Sequence, residues 1–128
     1  MSFSIASLNV NGMVDDKKRN AIFYWYRKKK IDILCLQETH SSPETELKWG
    51  KEWVGKSFWN HGSSNSRGVA ILLSETFQYD VIETGRDNCG RQISCAVKVS
   101  NKSLNILNIY APNIGTDKKK YFSMNLFV

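Results

Sequence analysis

Three apolar segments of this sequence each end in polar residues that could do chemistry. "SLNVNG" carries Asn9 and Asn11, "LCLQETH" carries Glu38, and "LNIYAPN" carries Tyr110 and Asn113. Each segment is typical of a β-strand, and the carboxyl ends of buried strands in α/β sheets commonly border a shared crevice. We therefore expect these five residues to line one site.

The residue types in this set indicate metal-assisted chemistry on a phosphate. One carboxylate beside carboxamides suits a hard cation that keeps several waters, which describes Mg²⁺ better than Zn²⁺ or Ca²⁺. Asn and Tyr side chains donate to a phosphate oxygen without adding repulsive charge. These are the parts of a phosphodiester hydrolysis site. Each residue alone also has an ordinary interpretation, such as a turn at Asn11-Gly12 or packing at Tyr110, so the set carries the prediction.

Length and composition predict one soluble, intracellular domain in the nucleus or cytoplasm. The chain has 128 residues and a net charge of +6, which favours anionic partners, nucleic acid first. Its three cysteines form no metal-binding pattern, and an odd number is typical of a reducing compartment. The N-terminus lacks the features of a signal peptide, and the longest apolar run, 69–73, is too short to span a membrane.

The order of the elements predicts an α/β fold. Residues 41–66 read as irregular, with one helical turn near 46–53. The basic run 27–30 ends the first helix and complements its dipole, which explains that run without DNA. The fold class is a mixed, mostly antiparallel sheet packed on a sheet, with flanking helices. The predicted elements are strands at 3–10, 31–37, 68–74, 77–84, 91–100 and 103–111, a helix at 16–29, and a helix from about Asp117.

Five motifs in this order resemble the N-terminal half of the exonuclease–endonuclease–phosphatase family. They are "SLNVNG", "LQETH", "RGVAILLS", "GRQI" and "LNIYAPN", and their wording is most similar to the endonuclease domain of non-LTR (LINE-type) retrotransposons. The resemblance implies a DNase I-like, four-layer α/β/β/α sandwich that nicks DNA. Residues 1–128 would form the N-terminal half of that domain, with the C-terminal half absent.

The resemblance also implies a role for each residue of the set. Glu38 would be the principal Mg²⁺ ligand, with Mn²⁺ as a possible substitute, and Asn9 and Asn11 would line the metal and phosphate site. Tyr110 would contact the scissile phosphate, and Asn113 would support the active site or touch DNA.

Three further residues near these motifs receive separate expectations. His40 matches the residue after Glu-Thr in retrotransposon relatives, where it implies a structural role. His61 lies in a polar loop and is expected to be exposed. Arg67, in "SSNSR", either meets the DNA backbone or belongs to a solvated loop.

Two motifs of the resembled family do not occur in this sequence. The "GDFN" and "SDH" strings supply the groups that orient and activate the attacking water, and neither is present. The resemblance therefore implies that this chain alone is inactive or nearly so and exposes a sheet face that the other half would cover. Three cases stay open: a truncated retroelement product, a fragment that needs a complementary C-terminal half, and a half-domain that has adapted.

Two other functions stay open from the sequence. One is a non-catalytic module that binds nucleic acid or another partner through the positive charge and exposed aromatics, with Trp49, Trp53 and Trp59 as candidates. The other is a phosphatase relative that acts on small phosphoesters. The residues of the five motifs, by resemblance, favour DNA over such a small-molecule substrate.

Overall fold

The computed structural model of the protein describes residues 3–63 and 66–111, so Asn113 and the helix predicted from Asp117 lie outside the described residues. The α/β fold predicted from the sequence is confirmed. Within the described ranges the elements are β1 (Ile5–Asn9), α1 (Asp16–Lys28), β2 (Ile33–Gln37), α2 (Pro43–Trp53), β3 (Ser57–Asn60), β4 (Val69–Leu73), β5 (Asp80–Arg86), β6 (Gln92–Val99) and β7 (Lys102–Ile109).

The strands form two sheets. The first has the order β1-β2-β4-β3, in which β1 and β2 are parallel and the other neighbours antiparallel. The second has the antiparallel order β5-β6-β7. A single parallel pair in a mostly antiparallel fold agrees with the predicted mixed sheet.

The two sheets pack face to face through an apolar core. β2 and β4 contribute Ile33 and Ile71, and β6 contributes Ile93 and Val97, all buried. The face of the first sheet that meets this core is therefore covered by the second sheet, whose strands carry the exposed apolar side chains Ile82 and Leu107. The helices cover the other face of the first sheet through a second core that contains Phe23 and Leu34.

Helix α2 corrects the prediction of an irregular segment with one helical turn. It runs for 11 residues from Pro43 and begins with a capping box. The Ser42 hydroxyl accepts a hydrogen bond from the Thr45 amide at 3.2 Å, and the Ser42 amide donates to the Thr45 hydroxyl at 2.9 Å. Proline at the first helical position and reciprocal capping both favour a helix start. The polar composition of this stretch had obscured these signals.

The three tryptophans considered as exposed binding residues are buried. Trp49 and Trp53 on α2 and Trp59 on β3 are each 2% exposed. The indole of Trp53 donates a hydrogen bond to the Leu73 carbonyl at 2.9 Å, which fixes α2 against β4. They are the large side chains through which the helix layer packs on the first sheet.

Two strand assignments also differ from the sequence prediction. β3 lies in the stretch predicted to be irregular, where it pairs with β4 and places Trp59 opposite Ala70. β5 begins at Asp80 rather than 77, because Phe77 and Tyr79 stack with ring centroids 5.2 Å apart and pack on the core. No helix in the described ranges is long and apolar enough to cross a membrane.

Candidate active site

The parallel pairing of β1 and β2 continues beyond both strands. Asn9 lies opposite Gln37 in the register of the pair. The Val10 amide then donates to the Gln37 carbonyl at 2.9 Å, and the Gly12 amide donates to the Glu38 carbonyl at 2.7 Å. The structure thereby brings Asn9, Asn11 and Glu38 together at the joint carboxyl end of the two strands.

Several residues at this end have a left-handed backbone. φ is 49° at Asn11, 56° at Glu38, 55° at His40 and 63° at Arg67. This conformation is uncommon outside glycine and is often found at functional sites, where the surrounding structure compensates for its cost. Part of that compensation is visible, since the His40 amide donates to the Arg67 carbonyl at 3.1 Å.

The carboxylate of Glu38 is available to a ligand. The side chain is half-buried, and within residues 3–63 and 66–111 it forms no hydrogen bond or ion pair. The same described ranges hold no cluster of three or more His, Cys, Asp or Glu residues suited to a metal. A carboxylate without a partner among the described residues is the kind of oxygen ligand that Mg²⁺ takes, since that ion needs few protein ligands and keeps several waters.

The two asparagines form a local turn next to Glu38. The side-chain oxygen of Asn9 accepts a hydrogen bond from the Asn11 amide at 2.9 Å, and both side chains are exposed. The Lys18 ammonium on α1 donates to the Asn11 carbonyl at 3.3 Å. The turn is thus held on one side by β2 and on the other by α1.

Asn108 on β7 is a residue of this region that the sequence prediction missed. It is 3% exposed, and its side-chain nitrogen donates to the carbonyls of Leu36 (2.9 Å) and Ala70 (2.8 Å). Its side-chain oxygen accepts a hydrogen bond from the side-chain nitrogen Nε2 of Gln37 at 2.7 Å. An asparagine at an inward-facing position of the apolar run "LNILNIYA" was the available signal.

Asn108 brings the end of β7, and with it Tyr110, to the end of the fold that carries Glu38. The Tyr110 amide donates to the Arg91 carbonyl at 2.8 Å, and the Arg91 guanidinium lies 5.6 Å from the centre of the tyrosine ring. Tyr110 is half-buried and packs against the inter-sheet core. Its ring is therefore held between the core and a cation.

His40 packs against the turn at the end of β1. A Cβ atom at position 12 would lie 2.7 Å from Nδ1 of His40, so the imidazole rests directly on Gly12, whose φ is +85°. Both the close contact and the positive φ require glycine at this position. This contact supports a structural role for His40.

His61 was expected to be exposed, and this prediction was wrong, because its side chain belongs to a hydrogen-bonded series of residues. Its side chain is 15% exposed. Nε2 lies 2.7 Å from the Glu46 carboxylate, and Nδ1 lies 2.8 Å from the Ser41 hydroxyl, which is itself 2.8 Å from the Thr39 hydroxyl. Ser41 is 1% exposed, so its hydroxyl is closed to a substrate. These hydrogen bonds anchor the loop that follows Glu38.

Arg67 reaches this region through its backbone. Its side chain is half-buried, and within the part of the chain that the structure describes its guanidinium forms no hydrogen bond or ion pair. The next residue must be glycine, because φ at Gly68 is +92° and a Cβ there would lie 2.3 Å from the Thr39 hydroxyl. The Gly68 amide donates to the Gly90 carbonyl at 3.0 Å, which joins this loop to the β5–β6 turn.

Asp87 organises the β5–β6 turn. Its carboxylate accepts hydrogen bonds from the Asn60 side chain at 2.8 Å and from the amides of Arg91 (3.2 Å) and Cys89 (3.3 Å). Burial alone raises the pKa of Asp87, but these hydrogen bonds and the Cys89 thiol outweigh it, so the pKa is lowered. The ionised carboxylate is therefore the form that supports the turn.

A family pattern and a relative of known sequence both match most of this chain. The pattern of the Endonuclease/Exonuclease/phosphatase family matches residues 6–119. The "Transposon TX1 uncharacterized 149 kDa protein" of Xenopus laevis is 34% identical over 122 residues, which is 95% of this chain and 9% of that protein. The chain therefore spans only a small part of this relative.

Solved structures share the fold. TDP2 from Caenorhabditis elegans superposes with a TM-score of 0.71 at 17% identity, covering 98% of this chain and 40% of that one. An AP endonuclease from Archaeoglobus fulgidus has a TM-score of 0.64 at 24% identity, covering 98% of this chain and 48% of that one. In both cases this chain corresponds to less than half of the solved chain.

Proposed function

The chain belongs to the endonuclease/exonuclease/phosphatase family, and on that premise we propose that it is the N-terminal half of a Mg²⁺-dependent, retrotransposon-type DNA endonuclease. The proposal is carried by the environment of the Glu38 carboxylate. A half-buried carboxylate without a partner among the described residues, on a left-handed backbone at the joint end of β1 and β2, is suited to hold a cation.

The other residues of the site have supporting roles in this proposal. Glu38 and Asn9 would hold Mg²⁺, for which Mn²⁺ could substitute, and such an ion would supply Lewis-acid stabilisation of charge on the phosphate. Asn11 lines the phosphate site and Tyr110 donates to the scissile phosphate. Arg67, whose guanidinium is not engaged by the described residues, contacts the DNA backbone. We assign Asn113 a supporting role in the site from its sequence position alone.

DNA is the substrate that the comparisons favour over a small phosphoester. One structural relative is an AP endonuclease and the curated relative is a transposon protein. The net charge of +6 also favours a polyanion. Action on DNA corresponds to a nuclear or cytoplasmic location.

The described part of the fold has an open side that supports the need for a complementary half. β1 is an edge strand of the first sheet and β7 of the second, and both border one groove. Ile5 is 51% exposed and Leu107 52% exposed along these strands. Edge strands with exposed apolar side chains are places where further chain can pair and pack.

We also propose that this half alone does not cleave DNA. The sequence contains no "GDFN" or "SDH" string. General-base and transition-state groups typically contribute about 10²- to 10⁴-fold each, so a half that lacks them should leave almost no hydrolysis.

A plasmid-nicking assay tests both parts of the proposal. The purified chain is assayed with Mg²⁺ alone, and then after co-expression with the polypeptide that follows the matched region in the Xenopus laevis relative. We expect nicking only in the complemented sample, its loss in Glu38→Ala, and its retention in the surface control Glu75→Ala. Robust nicking by the chain alone would contradict the need for a second half. Complemented nicking that survives Glu38→Ala would contradict the assignment of the site.

A further inference from the structure

The outward face of α1 carries two large aromatic side chains in solvent. Tyr24 is 62% exposed and Trp25 is 50% exposed. Neither is one of the three buried tryptophans, which are Trp49 and Trp53 on α2 and Trp59 on β3. Two adjacent aromatics at this exposure are unusual on a helix whose opposite face already packs on a core through Phe23.

The same face is basic and carries no acid of the helix. At 3.6 residues per turn, six basic or aromatic side chains fall within roughly 140° of its circumference, together with the small Ala21. We call this set the α1 outer face; its members are Lys17, Lys18, Tyr24, Trp25, Lys28 and Lys29, all exposed. The acid of the first turn, Asp16, points elsewhere, because its carboxylate pairs with Arg19 at 2.5 Å and with Lys48 at 3.4 Å.

The lysines lie beside the aromatic rings. The Lys28 ammonium is 5.8 Å from the centre of the Tyr24 ring, and the Lys29 ammonium is 5.5 Å from that of Trp25. Each ring is thus held near a cation. The Trp25 ring also meets the Tyr26 ring edge to face, with centroids 4.7 Å apart, and half of its surface stays exposed.

The helix dipole accounts for only part of this charge. Cations in the last turn are stabilised by the dipole, which explains Lys28 and Lys29. Lys17 and Lys18 are in the first turn, where the dipole disfavours cations. An ordinary solvated helix face would also mix acids among its lysines to form i,i+4 pairs, and this one does not.

We propose that the α1 outer face binds single-stranded nucleic acid, with the lysines on phosphates and with Tyr24 and Trp25 stacking on bases. Aromatic rings among cations are the general means by which proteins hold single strands without reading their sequence. The face begins next to the candidate active site, since Lys18 contacts the Asn11 carbonyl. A strand bound here could therefore continue toward that site. This binding requires no metal, so it goes beyond the proposed cleavage and does not depend on it.

Fluorescence anisotropy with the full chain tests the proposal, using labelled oligo(dT) and oligo(rU) of 12 nucleotides in the presence of EDTA. Stacking is worth about 1–3 kcal/mol per base, so Tyr24→Ala with Trp25→Ala should raise Kd at least tenfold. Lys17→Glu with Lys28→Glu should weaken binding and reduce its salt dependence. The controls, exposed residues elsewhere, are Leu47→Ala on α2 and Lys102→Glu on β7, which should bind as the unchanged chain does. The two oligonucleotides report whether DNA, RNA or both are bound.

Three results would overturn the inference. The first is unchanged affinity in the Tyr24/Trp25 variant. The second is loss of binding in Arg67→Glu but not in the α1 variants, which would place the single strand at the candidate active site and leave the proposed function standing. The third is that the α1 variants lose binding to phosphatidylserine vesicles while binding oligonucleotides normally, which would make the face a membrane-surface site. Failure of plasmid nicking has no bearing on any of these results.

Discussion

Gln37 on β2 and Asn108 on β7 are 71 residues apart and hydrogen-bond through their side chains at 2.7 Å. Asn108 also donates to the backbone of β2 at Leu36 and of β4 at Ala70. The buried carboxamide of Asn108 thus joins both sheets next to the candidate active site. Gln37 immediately precedes Glu38, and Asn108 is two residues before Tyr110. The spacing of the two sheets at the candidate active site depends on this contact.

Replacing Asn108 should therefore destabilise the fold. Asn108→Ala removes three hydrogen bonds and leaves buried carbonyls without that donor, so we expect the free energy of unfolding to fall by about 2–4 kcal/mol. Urea denaturation followed by tryptophan fluorescence measures this. Asn105→Ala, on the same strand but exposed, is the matched control and should change stability by less than about 0.5 kcal/mol. Equal effects in the two variants would show that the bridge does not stabilise the fold.

Arg19 should be among the charged residues on which stability depends most. Its side chain is 0% exposed, pairs with Glu52 at 2.5 Å, donates to the Met13 carbonyl at 2.9 Å, and lies over the Trp49 ring. Arg19→Ala removes these contacts, while the Glu52 and Asp16 carboxylates stay in contact with water, so we expect a loss of about 2–3 kcal/mol in unfolding free energy. The exposed neighbour Asn20→Ala is the control. A loss under about 1 kcal/mol in Arg19→Ala would contradict a structural role for this network.

Asp87 should make stability depend on acid pH. Its pKa in the folded chain is lowered, so its contribution is fully present above the unfolded value of about 3.9 and is lost as the pH falls through the folded value. Asp87→Asn should be less stable than the parent at pH 7, and the difference should shrink below about pH 4. Urea titrations at a series of pH values measure this. A difference that grows on acidification would have the wrong sign for this account.

The hydrogen-bonded chain from Glu46 through His61 and Ser41 should hold the loop after Glu38 in place. His61→Ala removes two of its links. We expect the amides of Thr39 and His40, which bond to Gly68 and Arg67, to exchange with solvent faster in this variant, while core amides on β4 follow global stability. Hydrogen–deuterium exchange measures this, with exposed Gln78→Ala as the control. Unchanged exchange at Thr39 and His40 would show that the loop is held by its backbone alone.

The sequence predicted where most strands end, but it did not predict the helix and the strand that lie between β2 and β4. β2 was recognisable because the run before Glu38 is apolar, and α1 because acid begins it and base ends it. Helix α2 and strand β3 were missed because Trp49, Trp53 and Trp59 stand among polar residues, and only tertiary packing shows which of their faces are buried. Asn108 looked like an interruption of an apolar strand, and its three partners lie on β2 and β4, which no local pattern can reveal.

Binding of Mn²⁺ to the isolated chain tests whether Glu38 is a metal ligand. Titration of Mn²⁺ followed by electron paramagnetic resonance reports the bound ion without requiring catalysis or a second half. We expect weak, saturable binding that Glu38→Ala reduces at least tenfold and that the exposed control Glu75→Ala leaves unchanged. Binding of equal strength in the parent chain and Glu38→Ala would contradict that role of Glu38.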